Sequence, residues 1–249
     1  MSRRLLAVLL AAALVVSACS SDKKAKSDPE ASQGSSAKLV QVSPLTGQKL
    51  ATRPKNPVFV VKIENTDGGA PQHGLQHADM VVEELVEGGL TRLAAFYYSN
   101  LPSDVGHVRS MRASDIGIVK PVAGQVVASG GAGGTVGRLR RAGVKVWSED
   151  AGAPGFSSDP AKVRPYNRLM NLKVLARKAK ATAIPGPYLT FTPKDGKDGA
   201  TSARKATRAS VRFSGPSTTQ WRYAGGSWKR TNGHAQREFG AKTLVILYV

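Results

Sequence analysis

The 249-residue chain carries 36 lysines and arginines against 17 aspartates and glutamates, a formal net charge of +19. Hydrophobic residues make up 41% of it, enough to bury a core, so a wholly disordered chain is excluded. Its single cysteine, Cys19, rules out an intramolecular disulfide and argues against a redox role.

The N-terminus reads as a targeting segment. Ser2-Arg3-Arg4 is a short basic start, and residues 5–16 form an unbroken apolar run too short for a stable transmembrane span. The run closes on Val16-Ser17-Ala18-Cys19, which resembles a bacterial lipobox. That resemblance implies a diacylglyceryl group on Cys19 and cleavage that leaves Cys19 as the mature N-terminus. An ordinary signal peptide cleaved nearby is the alternative. Two acyl chains on one residue give stable anchoring where one would be marginal. Residues 1–19 are therefore assigned to a lipoprotein signal peptide and the location to the extracytoplasmic face of the cell membrane.

Residues 20–38, rich in Ser, Lys and Asp and without apolar periodicity, read as a flexible tether, its ends on the order of 25 Å apart. The main α/β unit is assigned to residues 39–195. A turn at residues 43–47 (SPLTG) opens it, and residues 58–63 (VFVVKI) form a β-branched run expected as a buried strand.

A β-hairpin is expected next, from residues 80–87 and 90–98, joined by Gly88-Gly89 as a two-residue turn. That turn sets Leu85 opposite Arg92 and Glu83 opposite Ala94. Glu83, Glu87 and Arg92 then share one face, with Arg92 diagonal to both carboxylates at about 7–8 Å. A helix over 76–87 is the rival reading.

Helices are expected at 110–119, 135–142 and 171–181, and strands at 125–128 and 144–147. The glycine-rich stretch 129–134 reads as a tight strand-to-helix turn, since it lacks the endings of phosphate-binding loops. Residues 196–210 read as a linker or long loop. Strands at 211–213, 218–223, 227–230 and 243–249 suggest a β-rich unit over 211–249 that stops within an apolar run and reads as incomplete. The fold class is α/β in the mixed α+β sense: a mixed sheet with helices, followed by a small β-rich C-terminal unit.

These residues together resemble the YerB-like bacterial lipoprotein family, a domain-of-unknown-function family. The resemblance rests on residues 43–47, Ile63-Glu64-Asn65, Pro71-Gln72, Ala78-Asp79, Glu83, LVEGGLTR at 85–92, Val105-Gly106 and VRSMR at 108–112. Arg164-Pro165-Tyr166-Asn167 matches a later proline–aromatic–asparagine element, and His107 stands where the pattern carries proline. The resemblance implies an envelope location and a two-part layout, and no agreed reaction.

The candidate ligand or anion site comprises Asn65, Glu83, Glu87, Arg92, Arg109, Ser110, Arg112 and Asn167. Arginine forks match carboxylates and phosphates in pairs of hydrogen bonds. Pairing of Arg109 and Arg112 with Glu83 and Glu87 is the alternative, and both can hold. In a strand, Glu83 and Glu87 would lie about 13 Å apart. Glycosidase carboxylates need about 5–9.5 Å. No catalytic residue is therefore assigned. His73 and His77 have metal-pair spacing but no HExxH context, so neither a metal nor a cofactor is expected. The leading function is binding or scaffolding at the cell envelope, with an anionic polymer or an envelope protein as partner and the membrane engaged through Cys19. The alternative is an enzyme acting on wall glycan or phosphate-containing polymer. Nucleic acid, which the charge alone would admit, is a minor candidate outside the cytoplasm.

Overall fold

The computed structural model describes residues 41–191, 204–233 and 240–248. Cys19, the tether and most of the proposed linker lie outside them. The VFVVKI run forms strand β1 (Phe59–Glu64), with all six residues buried. Two short 3-10 turns come next, at Asp67–Gly69 and Leu75–His77. Then come β2 (Met80–Leu85), β3 (Thr91–Tyr97), β4 (Val105–Gly106), α1 (Asp115–Val119), β5 (Gln125–Ala128), α2 (Gly133–Arg141) and β6 (Val146–Ser148). The chain continues through β7 (Phe156–Ser158), β8 (Arg168–Met170), α3 (Leu172–Ala176), β9 (Arg208–Arg212), β10 (Thr218–Ala224), β11 (Ser227–Arg230) and β12 (Gly240–Ala241).

The main sheet has the order β2-β3-β1-β5-β6. Strand β1 is antiparallel to β3 and parallel to β5, and α2 makes the crossover from β5 to the parallel β6. A three-stranded sheet β4-β8-β7, which the sequence did not signal, and α3 pack on one face around Phe59, Ile63, Leu93 and Met170. Helices α1 and α2 cover the other around Val60, Phe96, Val126 and Leu139. Because both faces are covered, β1 is apolar at almost every position rather than alternating. Strands β9 to β12 form an antiparallel sheet of their own. The fold is thus a mixed sheet with helices, followed by a β-rich C-terminal sheet.

The hairpin exists, but its register differs by one residue from the two-residue-turn expectation. The Val86 amide donates to the Leu90 carbonyl at 2.8 Å, so Glu87, Gly88 and Gly89 form a three-residue loop. Both glycines have φ near +70°, the region a Cβ disfavours. Glu84 therefore faces Arg92, and Glu83 faces Leu93. A one-residue slip sends every side chain of a strand to the opposite face. Glu83 and Arg92 are consequently on opposite faces, not the same one.

Three other expectations are corrected. The helix expected at 110–119 is only α1, because Arg109 and Met111 amides donate to the carbonyls of Lys62 and Gly130 (2.8 and 2.9 Å) instead of continuing a helix. The helix expected at 171–181 ends at Ala176, and the Lys180 carbonyl accepts the Gln125 side chain at 2.8 Å. Residues 243–248 are not a strand: β11 finds its outer neighbour in Gly240–Ala241, and no described strand pairs with residues 243–248.

The one charged residue in the middle of β1, Lys62, is fully buried. Its ammonium donates to Glu84 on β2 and to Asp115 Oδ1 at 2.6 Å on α1. Ser114 Oγ donates to the second Glu84 oxygen at 2.6 Å, and the Arg112 amide to Asp115 Oδ2 at 2.7 Å. Two carboxylates share one ammonium, so burial, with Glu84 adding to it, pushes the Asp115 carboxyl above its ordinary range against the pull of Lys62. A raised folded value means that Asp115 contributes most stability below the ordinary aspartate range. That contribution is lost as pH rises through the elevated value.

Replacing Lys62 by Met should cost about 3–5 kcal/mol at neutral pH in urea unfolding, because two buried carboxylates lose their cation. The deficit should shrink as the solution is acidified and the carboxylates take up protons.

Candidate functional site

On the α1 face of the sheet, three guanidiniums are strung together by shared acceptors. Glu64, at the end of β1, forms ion pairs through Oε2 with Arg109 Nη1 at 2.8 Å and with Arg92 Nη2 at 3.7 Å, without hydrogen-bond geometry to either. The Ser110 carbonyl accepts from Arg92 Nη1 at 3.4 Å and Arg112 Nη1 at 3.2 Å. Arg112 Nε then reaches both oxygens of Glu87 at 2.7 Å, and the Arg109 guanidinium lies 4.8 Å from the centre of the Tyr166 ring. Burial lowers Arg92 from its usual value; Arg112 and Arg109 push the same way and Glu64 opposes them. The Arg92 Nε has no hydrogen-bond acceptor. The Arg112 hydrogen bond holds the exposed Glu87 carboxyl below the usual carboxylate range.

On the opposite face a second network forms. Asn65 Nδ2 donates to Thr91 Oγ1 at 2.7 Å and Glu83 Oε1 at 3.1 Å. Arg230, from β11, reaches back to Asn65 Oδ1 at 3.0 Å and Glu83 Oε1 at 3.4 Å, and Thr219 Oγ1 donates to the same Glu83 oxygen at 2.8 Å. Asn65, Thr91, Thr219 and Arg230 line an open cleft of about 390 Å³. Burial lowers Arg230 from its usual value, opposed by Glu83.

The structure therefore brings Arg92, Arg109, Arg112 and Glu87 together and sends Asn65 and Glu83 elsewhere. Ser110 takes part through its carbonyl. Asn167 has a buried Oδ1 with no hydrogen-bond partner, while its neighbour Tyr166 meets Arg109. Sequence reasoning missed Glu64, Tyr166 and Arg230 as site residues. Glu64 and Tyr166 stood inside recognised motifs, so their signal was present; Arg230, far along the chain, gave none. The spaced pair His73 and His77 separates: His73 Nδ1 lies 3.0 Å from Asp104 Oδ2, and His77 Nδ1 lies 3.2 Å from Asn100 Nδ2.

Residues 45–185 match the sequence pattern of a family described as protein of unknown function (DUF3048), N-terminal domain. A segment of 72 residues is 44% identical to a Bacillus subtilis (strain 168) protein described as "Putative lipoprotein YerB". That segment is 28% of this chain and 22% of the relative's length. The crystal structure of YerB from Bacillus subtilis superposes with a TM-score of 0.64 over 81% of this chain and 68% of that one, at 20% identity, which establishes likeness of fold.

Replacing Arg230 by Met should destabilise the protein by about 1–3 kcal/mol, since the partly buried Glu83 and Asn65 Oδ1 lose a charged donor. Hydrogen exchange should then accelerate in β10 and β11 more than in β1 and β3.

Proposed function

The chain belongs to the family of the DUF3048 N-terminal domain, and we propose that it is a lipid-anchored extracytoplasmic protein that binds an anionic polymer of the cell envelope. The carrying observation is the string of guanidiniums. Three of them meet two carboxylates, Glu64 and Glu87, and Arg112 and Glu87 carry the group out to the surface. Guanidiniums pair with phosphate and carboxylate groups in a planar, two-point fashion that a lysine cannot reproduce. The net charge of +19 draws such a polymer in from a distance, and the string gives it a place to stop. Tyr166 packs against the Arg109 guanidinium, 4.8 Å from ring centre to its carbon.

Attachment through Cys19 rests on the lipobox-like Val16-Ser17-Ala18-Cys19 and on the word lipoprotein in the relative's description. Among the described residues no helix is long and apolar enough to cross a membrane. A scaffolding role toward an envelope protein would use the same surface. The envelope-enzyme alternative would draw on Glu87 with the arginines, since Glu83 holds Arg230 instead.

With long-chain polyphosphate as probe, Arg109→Gln combined with Arg112→Gln should weaken binding at least tenfold, measured at salt high enough to screen exposed charges. Arg140→Gln with Arg141→Gln, on α2, should change it little. Equal losses from both pairs would show diffuse attraction and overturn the site. Separately, Cys19→Ala should abolish lipid labelling and release the protein from the membrane fraction; unchanged labelling would defeat the anchor.

A further inference from the structure

We propose that His73, His107 and Asp159 form a binding site for a divalent transition metal ion of the zinc class. The three come from distant points of the chain. One ring nitrogen from each histidine and a carboxylate oxygen of Asp159 all lie within 4.8 Å of one another. The spacing rule pointed to His73 with His77; the fold pairs His73 with His107, their rings 5.2 Å apart and edge to face.

The hydrogen bonds around the rings decide which atoms are free. His107 is fully buried, and its Nδ1 lies 2.9 Å from the Gly69 carbonyl oxygen. A carbonyl only accepts, so Nδ1 carries a hydrogen, and Nε2 is the nitrogen left to meet either a proton or a metal ion. That Nε2 lies 2.9 Å from Asp159 Oδ2. His73 Nδ1 faces the Asp104 carboxylate at 3.0 Å, which likewise leaves its Nε2 lone pair free in the neutral ring. Both rings thus have the outer partner, a backbone carbonyl or a carboxylate, that fixes the tautomer of a metal-binding histidine. Without metal a proton on Nε2 makes this contact an ion pair, and a bound cation would take that proton's place between the same two atoms. Around a tetrahedral zinc with bonds of about 2.0–2.1 Å, ligand atoms sit about 3.3 Å apart. The closest pair is already near that separation, and a modest rotation of His73 closes the rest.

Two imidazoles and one carboxylate suit zinc and its neighbours rather than magnesium or calcium. Three protein ligands leave a fourth position for water or a ligand group. Access exists on the His73 side, where the ring is 32% exposed and lines an open cleft of about 510 Å³ with His77, Asn100 and Lys173. The turn that carries His73 packs closely against the Asp104 segment. Gly74 has φ +78°, and a Cβ there would meet the Asp104 carbonyl at 2.5 Å.

The test is zinc titration of the chelator-stripped full-length protein by calorimetry, repeated with cobalt and read by its visible absorption. One ion per chain should bind, with the intense cobalt bands of a four-coordinate site. His73→Ala and Asp159→Asn should each weaken binding at least tenfold, and Asp104→Ala about 10–100-fold. His77→Ala, in the same cleft, should leave it unchanged. His73→Ala keeps the test decisive should His107→Ala fail to fold. The proposal is overturned if zinc does not bind, if His77→Ala weakens binding as much as His73→Ala, or if the histidine variants bind zinc like the parent. The second and third of those results indicate loose surface binding; the first leaves His107 and Asp159 as a plain ion pair.

Discussion

The buried ammonium of Lys62 is the fixed point of the molecule. It ties the central strand β1 to β2 through Glu84 and to α1 through Asp115, all in a region closed to water. An ion pair in such a place is weak evidence for added stability compared with an apolar core, but it is strict about geometry. With Lys62 in place, β2 can take only the register that puts Glu84 beneath it. Asp115 then sets where α1 begins, and the segment before it must run as extended chain. That segment carries Arg109 and Arg112, and its backbone pairing with Lys62 and Gly130 holds their guanidiniums at the sheet edge.

The two polar networks arise from the same alternation. Glu64 and Asn65 are successive residues, as are Glu83 and Glu84, and each pair divides between the faces. Glu64 and Glu84 serve the arginines and Lys62; Asn65 and Glu83 receive Arg230 from the C-terminal sheet. Ser214 Oγ, near β9, also donates to the Gly89 carbonyl at 2.5 Å, so the hairpin loop carries part of the same contact. The central strands thus organise an arginine cluster on one side and a join to the C-terminal sheet on the other.

Much of this was legible in the amino-acid order. The β-branched run signalled β1, Gln125 to Ala128 signalled β5, and the arginines of VRSMR do share a cluster with Arg92. The grouping of Glu83 with that cluster failed because it rested on a turn of two residues. Gly88-Gly89 is compatible with either loop length, and local chemistry alone does not choose; the Lys62 pairing with Glu84 does, and it is a contact across 22 positions. Arg230, 147 positions from Glu83, was beyond any local pattern. The small sheet β4-β8-β7 has strands of two or three residues, too short to show periodicity. His107 showed only as a departure from the family pattern, because its neighbours Asp159 and His73 are brought to it by folding.

The loop Glu87–Gly89 limits how sequences of this kind can drift. In most surface hairpins, losing or gaining one residue is a local matter. Here each residue of β2 has a counterpart on only one side of the sheet. If the turn kept three residues, a deletion of one glycine would draw Val86 into the loop, turn Glu83 toward the Lys62 face and turn Glu84 toward the Arg230 face. Substitutions in that loop can accumulate singly, whereas a change in its length would require the charges on three strands to change together. The number of residues in the loop is therefore under tighter constraint than their identity, apart from the two glycines that make the turn.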